Sequence, residues 1–305
     1  MCRFKNTIPK CIAPTLHTLY DLRQYLITAR HRHDIEQPKL CLTLDDKFDD
    51  NQEHDAAEFL MYTLECLHKE TTFNNIRTSN SFAVSMPSFD LTQFTCIPGP
   101  ALDTKTFMQW LKYSCHDQPS LVTCAFTGMI RTQYRFRCIE CGVYKESTSY
   151  EPYNVLVVSM SPSGTTDRNA KVEMDRLIDG YEEQHTSDVA EKFDGRSCCK
   201  LDKFVHTQLH QVVKYPNITL IVHVPRVKAT KNTSILNFHR IRRNDINMLC
   251  RAVIIHYPAR HYQCAIKTEE YKWLIVNDNQ VNMRNNNEII SIINKCAILF
   301  FYDVI

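Results

Sequence analysis

Two short stretches late in the chain carry residues that could do proton-transfer chemistry. YPARHYQCAIK, residues 257–267, places His261 at the start of a predicted strand, and WLIVNDNQV, residues 273–281, ends another on Asn277 and Asp278. If the two strands are antiparallel neighbours, Asn277 or Asp278 comes within reach of the imidazole. A side-chain oxygen there accepts one ring N–H and so fixes the tautomer and the ring orientation. A histidine held in this way can take a proton from a thiol, and a thiolate is a strong nucleophile at neutral pH. In KNTIPKCIAPTLHTL, Cys11 stands just before a predicted helix, whose dipole and unpaired N–H groups favour the thiolate. Asn6, five residues earlier, can offer an amide N–H to a developing oxyanion. The competing reading makes His261 a polar strand end meeting a polar turn, and Cys11 one of several small buried residues.

Two further clusters stand apart from this set. The C-x-x-C of CIEC, Cys138 and Cys141, has the spacing of half a zinc knuckle. The chain offers no second C-x-x-C, only the adjacent pair Cys198 and Cys199. Adjacent cysteines rarely share one tetrahedral ion, so Cys138, Cys141 and Cys199 are the candidate ligands of a structural zinc. In EHDAAEF, Asp55 and Glu58 lie three apart at a predicted helix start. They read either as carboxylates favoured there by the helix dipole or as an acidic contact for a basic peptide.

The elements that must position these residues are partly written in the periodicity. PTLHTLYDLRQYLITARH, opening on Pro14, has apolar residues mostly at helical spacing. In DNQEHDAAEFLMYTLECLHKE a capping box of Asp50 and Glu53 is expected, followed by the stripe Ala56, Phe59, Leu60, Thr63, Leu64 and Leu67. Residues from about Thr71 to Asp103 read as loop. From Met129 the period becomes two, with Ile130, Thr132, Tyr134, Phe136 and Cys138 on one face and Arg131, Gln133, Arg135 and Arg137 on the other. SPSGTTDRNAK reads as a loop and VEMDRLIDGYEEQ as a short helix. Strands are expected at NITLIVHVPRV, MLCRAVIIHY, HYQCAIK, YKWLIVND and CAILFFYDVI. Helices first, then mostly antiparallel strands, is an α+β layout.

Composition narrows the class. The 305 residues are 44% hydrophobic and 23% charged, with a formal net charge of +2. That balance suits a globular protein and supplies no strong field for nucleic acid or an anionic membrane. No apolar run is long enough to span a bilayer, and MCRFKNTIPK lacks the apolar core of a signal peptide. A cytoplasmic or nuclear protein is the expectation. The fourteen cysteines are scattered and read as reduced thiols. With six glycines and no G-x-G-x-x-G or Walker pattern, a phosphate-binding loop is not expected.

Taken in order, these segments resemble the ubiquitin-specific protease family of cysteine deubiquitinases. HDAAEFLMYTLECLH is similar to that family's Q-x-D-A-x-E-F-L helix, with Glu53 in the glutamine's place. FTGMIRTQYRFRCIECGVYKESTSYEPYNVLVVSM resembles its C-x-x-C segment, with Phe126, Gly128, Cys138, Cys141, Ser147 and Glu151 in register. YPNITLIVHVPRV resembles the strand that ends in R-F, here Arg226 and Val227. AVIIHYPARHYQCAIK resembles the histidine box, WLIVNDNQV the box that follows it, and AILFFY the closing strand.

The resemblance runs over essentially the whole chain. It implies a papain-like fold of thumb, fingers and palm in one catalytic domain spanning 1–305. The helical thumb would occupy about 1–125, mainly fingers 126–215 and mainly palm 216–305. It implies a thiol protease that hydrolyses the isopeptide bond after the C-terminal glycine of ubiquitin, with ubiquitin and ubiquitinated proteins as partners. No nucleic acid or membrane partner is implied, and no cofactor for the chemistry. By resemblance Cys11 is the nucleophile and His261 the general base. Asn277 orients the base, Asp278 supports the site and Asn6 serves the oxyanion. Asp55 contacts the ubiquitin tail and Tyr262 lines its channel.

The cysteine box departs from the family pattern. Asn6, Cys11, Thr15 and Leu16 keep its skeleton, but the glycine and threonine before the cysteine are gone. Cys2, in CRFKNT, is a competing alignment. Arg260 replaces the glycine before His261. An inactive ubiquitin-binding member, or a protease for a ubiquitin-like modifier, is the alternative reading.

Overall fold

The computed structural model describes residues 48, 54–72, 120–139, 141–160, 171–182, 184–189, 204–226, 233–243, 245–257, 261–269, 272–278 and 280–305. Helix α1 (Ala56–Glu70) begins one residue after Asp55, whose carboxylate Oδ1 accepts the N–H groups of Ala57 (2.8 Å) and Glu58 (3.0 Å). The expected capping box of Asp50 and Glu53 is therefore corrected: the cap is Asp55. Those two earlier residues lie outside the described set. The same D-x-x-E spacing recurs five residues later, and the short aspartate side chain there bonds the first free N–H groups directly. One face of α1 buries Ala57, Thr63, Leu64 and Leu67. The expected helix over PTLHTLYDLRQYLITARH also lies outside the described residues.

Helix α2 (Leu121–Phe126) is capped by Ser120, and it leads directly into β1 (Gly128–Cys138). Ser120 also binds the ring of His68 near the end of α1 (2.7 Å), and the Thr71 hydroxyl accepts the Leu121 N–H (3.1 Å), so the two helices are tied end to end. β1 pairs antiparallel with β2 (Tyr144–Tyr153). After β3 (Leu156–Val157) and β4 (Lys171–Glu173) comes α3 (Met174–Glu182), within the expected helix. β5 (Gln184–Val189) and β6 (Phe204–Lys214) then complete a four-stranded ribbon in the order β2-β1-β6-β5. β1 alternates as expected: Thr132 and Cys138 are buried, while Gln133, Arg135 and Arg137 are exposed.

Gly128 opens β1 opposite Tyr153, whose ring lies over it; an added Cβ would sit 2.4 Å from the ring carbon Cζ. No other residue type fits there without displacing a buried aromatic ring.

The remaining strands are β7 (Thr219–His223), β8 (Ser234–Leu236), β9 (Arg240–Arg243), β10 (Ile246–Tyr257), β11 (His261–Glu269), β12 (Lys272–Asn277), β13 (Gln280–Asn285) and β14 (Ala297–Val304), with helix α4 (Asn286–Cys296) before the last. They form an eight-stranded sheet in the order β13-β12-β11-β10-β14-β7-β3, with β9 on β10, and β8 pairs with β4. All pairs in the large sheet are antiparallel except β3 with β7.

Both faces of this sheet are covered, as a sheet with apolar residues on each side requires. On one face α1 and α2 pack through Leu64, Leu67 and Val122 against Ile221, Ile298 and Leu299. On the other, Val253, Ile255, Ala265, Trp273 and Phe300 pack with Ile289 and Ile293 of α4. Two polar contacts fix α4 in place. Trp273 donates its indole N–H to Asn286 at the helix start (2.6 Å). At the other end Arg226 donates to the carbonyls of Asn294 (2.9 Å), Ala297 (2.9 Å) and Thr233 (2.7 Å). A cation bonding the last carbonyls of a helix offsets both their unsatisfied acceptors and the dipole. Burial holds the Arg226 pKa down to about 10. Among the described residues no helix is long and apolar enough to cross a membrane.

Gly128→Val is expected to cost about 1–3 kcal/mol by overpacking. Gly180, in α3, has open space around its Cβ position. Gly180→Ala is therefore expected to leave the midpoint unchanged or raise it. Thermal unfolding of both variants beside the parent checks this contrast.

Candidate active site

The β11–β12 register pairs Cys264 with Val276 and Ala265 with Ile275. His261 and Asn277 fall on the same side of the two strands as a diagonal pair, close enough for side chains to meet. His261 donates its Nε2–H to Asn277 Oδ1. The Asp278 carboxylate lies 3.8 Å from the same nitrogen. Asp278 takes a left-handed backbone (φ 47°) in the two-residue turn between β12 and β13, which Asp tolerates better than most residues. With Nε2 committed as donor, Nδ1 is the nitrogen that can accept a proton from a nucleophile. His261 is only partly exposed, at 38% of its side chain. Both partners named from sequence are thus brought to the ring, Asn277 directly and Asp278 at the edge of ion-pair distance.

Tyr262, the next residue, faces the opposite side. It packs against the cluster that α1 and α2 form with the sheet. Its ring stacks on that of His256, its cross-strand partner, with centroids 4.5 Å apart and planes 11° from parallel. His223, at the end of β7, lies across the same face. Burial pushes its pKa below the ordinary value, and the Asp55 carboxylate partly offsets this. Both cap bonds use Oδ1, which leaves Oδ2 of the exposed Asp55 for a ligand. His223 and His256 share this face with Tyr262, and neither histidine is among the candidates read from sequence. The signal was present: in VIIHYPARHY, His256 precedes the site histidine by five residues, at the end of the apolar run.

Cys11, Asn6 and the competing Cys2 lie outside the described residues, as does Arg260. Among the described thiols, Cys264 stands three residues from His261, and burial pushes its pKa up to about 12. Burial likewise raises those of Cys66, Cys124 and Cys250. These four side chains are kept as neutral thiols, the inert form of cysteine.

Cys138 ends β1, and Cys141 follows in a tight turn. The Cys138 N–H bonds the Val143 carbonyl (2.9 Å) and the Gly142 N–H bonds the Cys138 carbonyl (3.1 Å), with Gly142 at φ 70°. At this turn the Cys138 side chain is buried and that of Cys141 is exposed. Among the described residues no group of three or more His, Cys, Asp or Glu is placed to hold a metal ion. Cys199 lies outside the described residues. Phe204 pairs with both Cys138 and Val189.

The sequence profile of the ubiquitin carboxyl-terminal hydrolase family matches residues 5–302. The chain belongs to the ubiquitin carboxyl-terminal hydrolase family. None of the curated proteins matches the sequence. Among solved structures it is similar to a chain of the Ubp8–Sgf11–Sgf73–Sus1 SAGA DUB module, with 14% identity and a TM-score of 0.50, covering 84% of this chain and 49% of that one. A chain of the yeast SAGA DUB module carrying a mutant Sgf73 is equally similar, with 14% identity, a TM-score of 0.50, and coverage of 82% and 50%. The chain therefore spans about half the length of the solved chains it matches. The likeness shows the fold, which is the α+β, papain-like fold expected from sequence. In this member of the ubiquitin carboxyl-terminal hydrolase family, His261 and Asn277 lie on the adjacent strands β11 and β12.

The Asn277 contact has a spectroscopic signature. In the intact chain, nitrogen NMR of neutral His261 is expected to show the proton on Nε2. In Asn277→Ala the ring is expected to lose that single assignment and exchange between tautomers, whereas an unchanged spectrum would mean that Asn277 does not hold the ring.

Proposed function

We propose that this chain is a thiol-dependent deubiquitinase that hydrolyses the isopeptide bond after the C-terminal glycine of ubiquitin. The observation that carries the reading is the His261–Asn277 pair, with Nε2 held and Nδ1 left for a thiol. In this mechanism Nδ1 takes the proton of Cys11, and the thiolate attacks the carbonyl carbon of the glycine. Asn6 donates its amide N–H to the oxyanion as the tetrahedral intermediate forms. The intermediate collapses as the C–N bond breaks, and the imidazolium returns its proton to the leaving lysine amine. Water then attacks the thioester with His261 again as base, releasing ubiquitin and the thiol. Asn277 keeps the ring oriented, and the Asp278 carboxylate lies 3.8 Å from the same ring nitrogen. Asp55 and Tyr262 line the channel that takes the ubiquitin tail. Ubiquitin and ubiquitinated proteins are accordingly the partners, and the thiol-rich composition fits a reducing compartment, cytoplasmic or nuclear.

No cofactor enters this chemistry. A structural zinc would be held at the ribbon tip by Cys138, Cys141 and Cys199, fixing the two hairpins to each other. Metal analysis of the purified chain is expected to find zinc, and Cys138→Ser to lose it.

A second reading rests on the departures in the cysteine box and on Arg260 in place of glycine. In it the chain binds ubiquitin or a ubiquitin-like protein without cleaving it. One experiment separates the readings. A ubiquitin probe with a C-terminal electrophile is expected to label the parent chain and not Cys11→Ser. Labelling retained in Cys11→Ser but lost in Cys2→Ser would move the nucleophile to Cys2. Ubiquitin binding without labelling of any cysteine would favour the non-cleaving reading. For turnover of a fluorogenic ubiquitin substrate, His261→Ala is expected to lose a factor of about 10²–10⁴, the usual contribution of a positioned acid–base group.

A further inference from the structure

A groove of about 400 Å³ lies on the other face of the large sheet, between the ends of β10–β13 and the first turns of α4. Its wall carries four carboxamides, Gln263, Asn277, Gln280 and Asn282. Its floor is aliphatic, made by Ile275, Ile289 and Ile292, of which the first two are buried. A concave site of this size with an apolar floor and a few converging polar groups is the usual form of a ligand site. Asn277 belongs to both the groove and the site described above. Its oxygen is committed to His261, so its amide N–H groups are what the groove can use.

From this geometry we propose that the groove is the acceptor-side site, taking the extended polypeptide segment that carries the modified lysine. The proposal rests on the hydrolase reading and extends it to the leaving group. The imidazolium of His261 must protonate the leaving amine, so the chain bearing that amine has to pass beside His261. The ubiquitin side of the bond occupies the face lined by Tyr262, which looks toward α1. His261 and Asn277 look the other way, into the groove side of the sheet.

The chemistry of the wall matches this occupant. Gln263, Gln280 and Asn282 each offer both a donor and an acceptor, as each peptide unit does, and Asn277 adds its N–H groups, so the row can pair with an extended backbone whatever its sequence. The isoleucine floor adds a preference for an aliphatic side chain near the lysine. Arg284 and Glu288 form a loose pair at 3.5 Å on the rim and leave it without a dominant charge.

The test compares two substrates on the full chain. One is ubiquitin with a C-terminal aminocoumarin, which has no acceptor polypeptide. The other is ubiquitin joined by an isopeptide bond to a short peptide with leucine next to the lysine. Asn282 is exposed on an edge strand, so Asn282→Trp fills the groove from outside the core. This variant is expected to raise KM for the peptide conjugate by about tenfold, the effect of losing one good set of contacts, with aminocoumarin turnover unchanged. Asn282→Ala is expected to shift the same KM by a smaller factor. Equal changes for both substrates, or none for either, would overturn the proposal.

A binding measurement keeps the two readings apart. With a non-cleavable form of the conjugate, the parent chain is expected to bind more tightly than it binds ubiquitin alone, and Asn282→Trp to lose the difference. If neither substrate turns over but the binding preference persists, the hydrolase reading fails and the groove stands as a site for the attached polypeptide. If turnover is seen and no preference exists, the groove assignment fails alone.

Discussion

The pairing register of β11 with β12 is the constraint on which the candidate site depends. A slip of β12 by one residue would send Asn277 to the other face and turn buried Ile275 outward with it. The register is held by apolar contacts far from the chemistry: Trp273 and Ile275 pack with Ala265, Val253 and the isoleucines of α4. Trp273 also bonds Asn286, and Arg226 ties the far end of α4 to Ala297, where β14 begins. The hydrogen bond between His261 and Asn277 is thus the visible end of a packed layer. Removing α4 contacts should disturb the ring before it unfolds the sheet, because the hairpin of β12 and β13 lies at the sheet edge.

Strand alternation then divides the labour between neighbouring residues. His261 and Tyr262 are adjacent in sequence and face opposite layers. One side carries His261, Asn277 and a carboxamide-lined groove against α4. The other carries Tyr262 stacked on His256, with His223 and Asp55 nearby, under the helical layer. A sheet covered on both faces can in this way present different surfaces to the two halves of one scissile bond. Asp55 shows the same economy in α1, where one carboxylate oxygen caps the helix and the side chain stays exposed.

Much of this layout is legible in the sequence because burial leaves a period. The alternation from Ile130 to Cys138 and the stripe on α1 follow from one covered face, and the apolar runs of β10, β11, β12 and β14 from two. The diagonal approach of Asn277 to His261 follows from two strands and a short link. Other elements carry no such period. β2, KESTSY in its middle, is polar on both sides, because the ribbon is open to solvent there. β13 and α4 are hidden in an asparagine-rich stretch, although Ile289 and Ile293 are spaced one helical turn apart. The start of α1 is misjudged by five residues because two aspartates each precede a glutamate at the capping interval. Arg226 shows only as the end of a strand motif, since a side chain that caps a helix distant in sequence has no local pattern.

The central claim is that His261, held by Asn277, activates the thiol of Cys11. The rate at which iodoacetamide alkylates Cys11, followed by mass spectrometry against pH, tests it most directly. A thiolate stabilised by an imidazolium reacts well below the usual thiol pKa of about 8.5. The account predicts rapid alkylation of Cys11 near neutral pH and below in the parent chain. It predicts that the profile moves up to that of an ordinary thiol in His261→Ala. Identical profiles in the two proteins would contradict it.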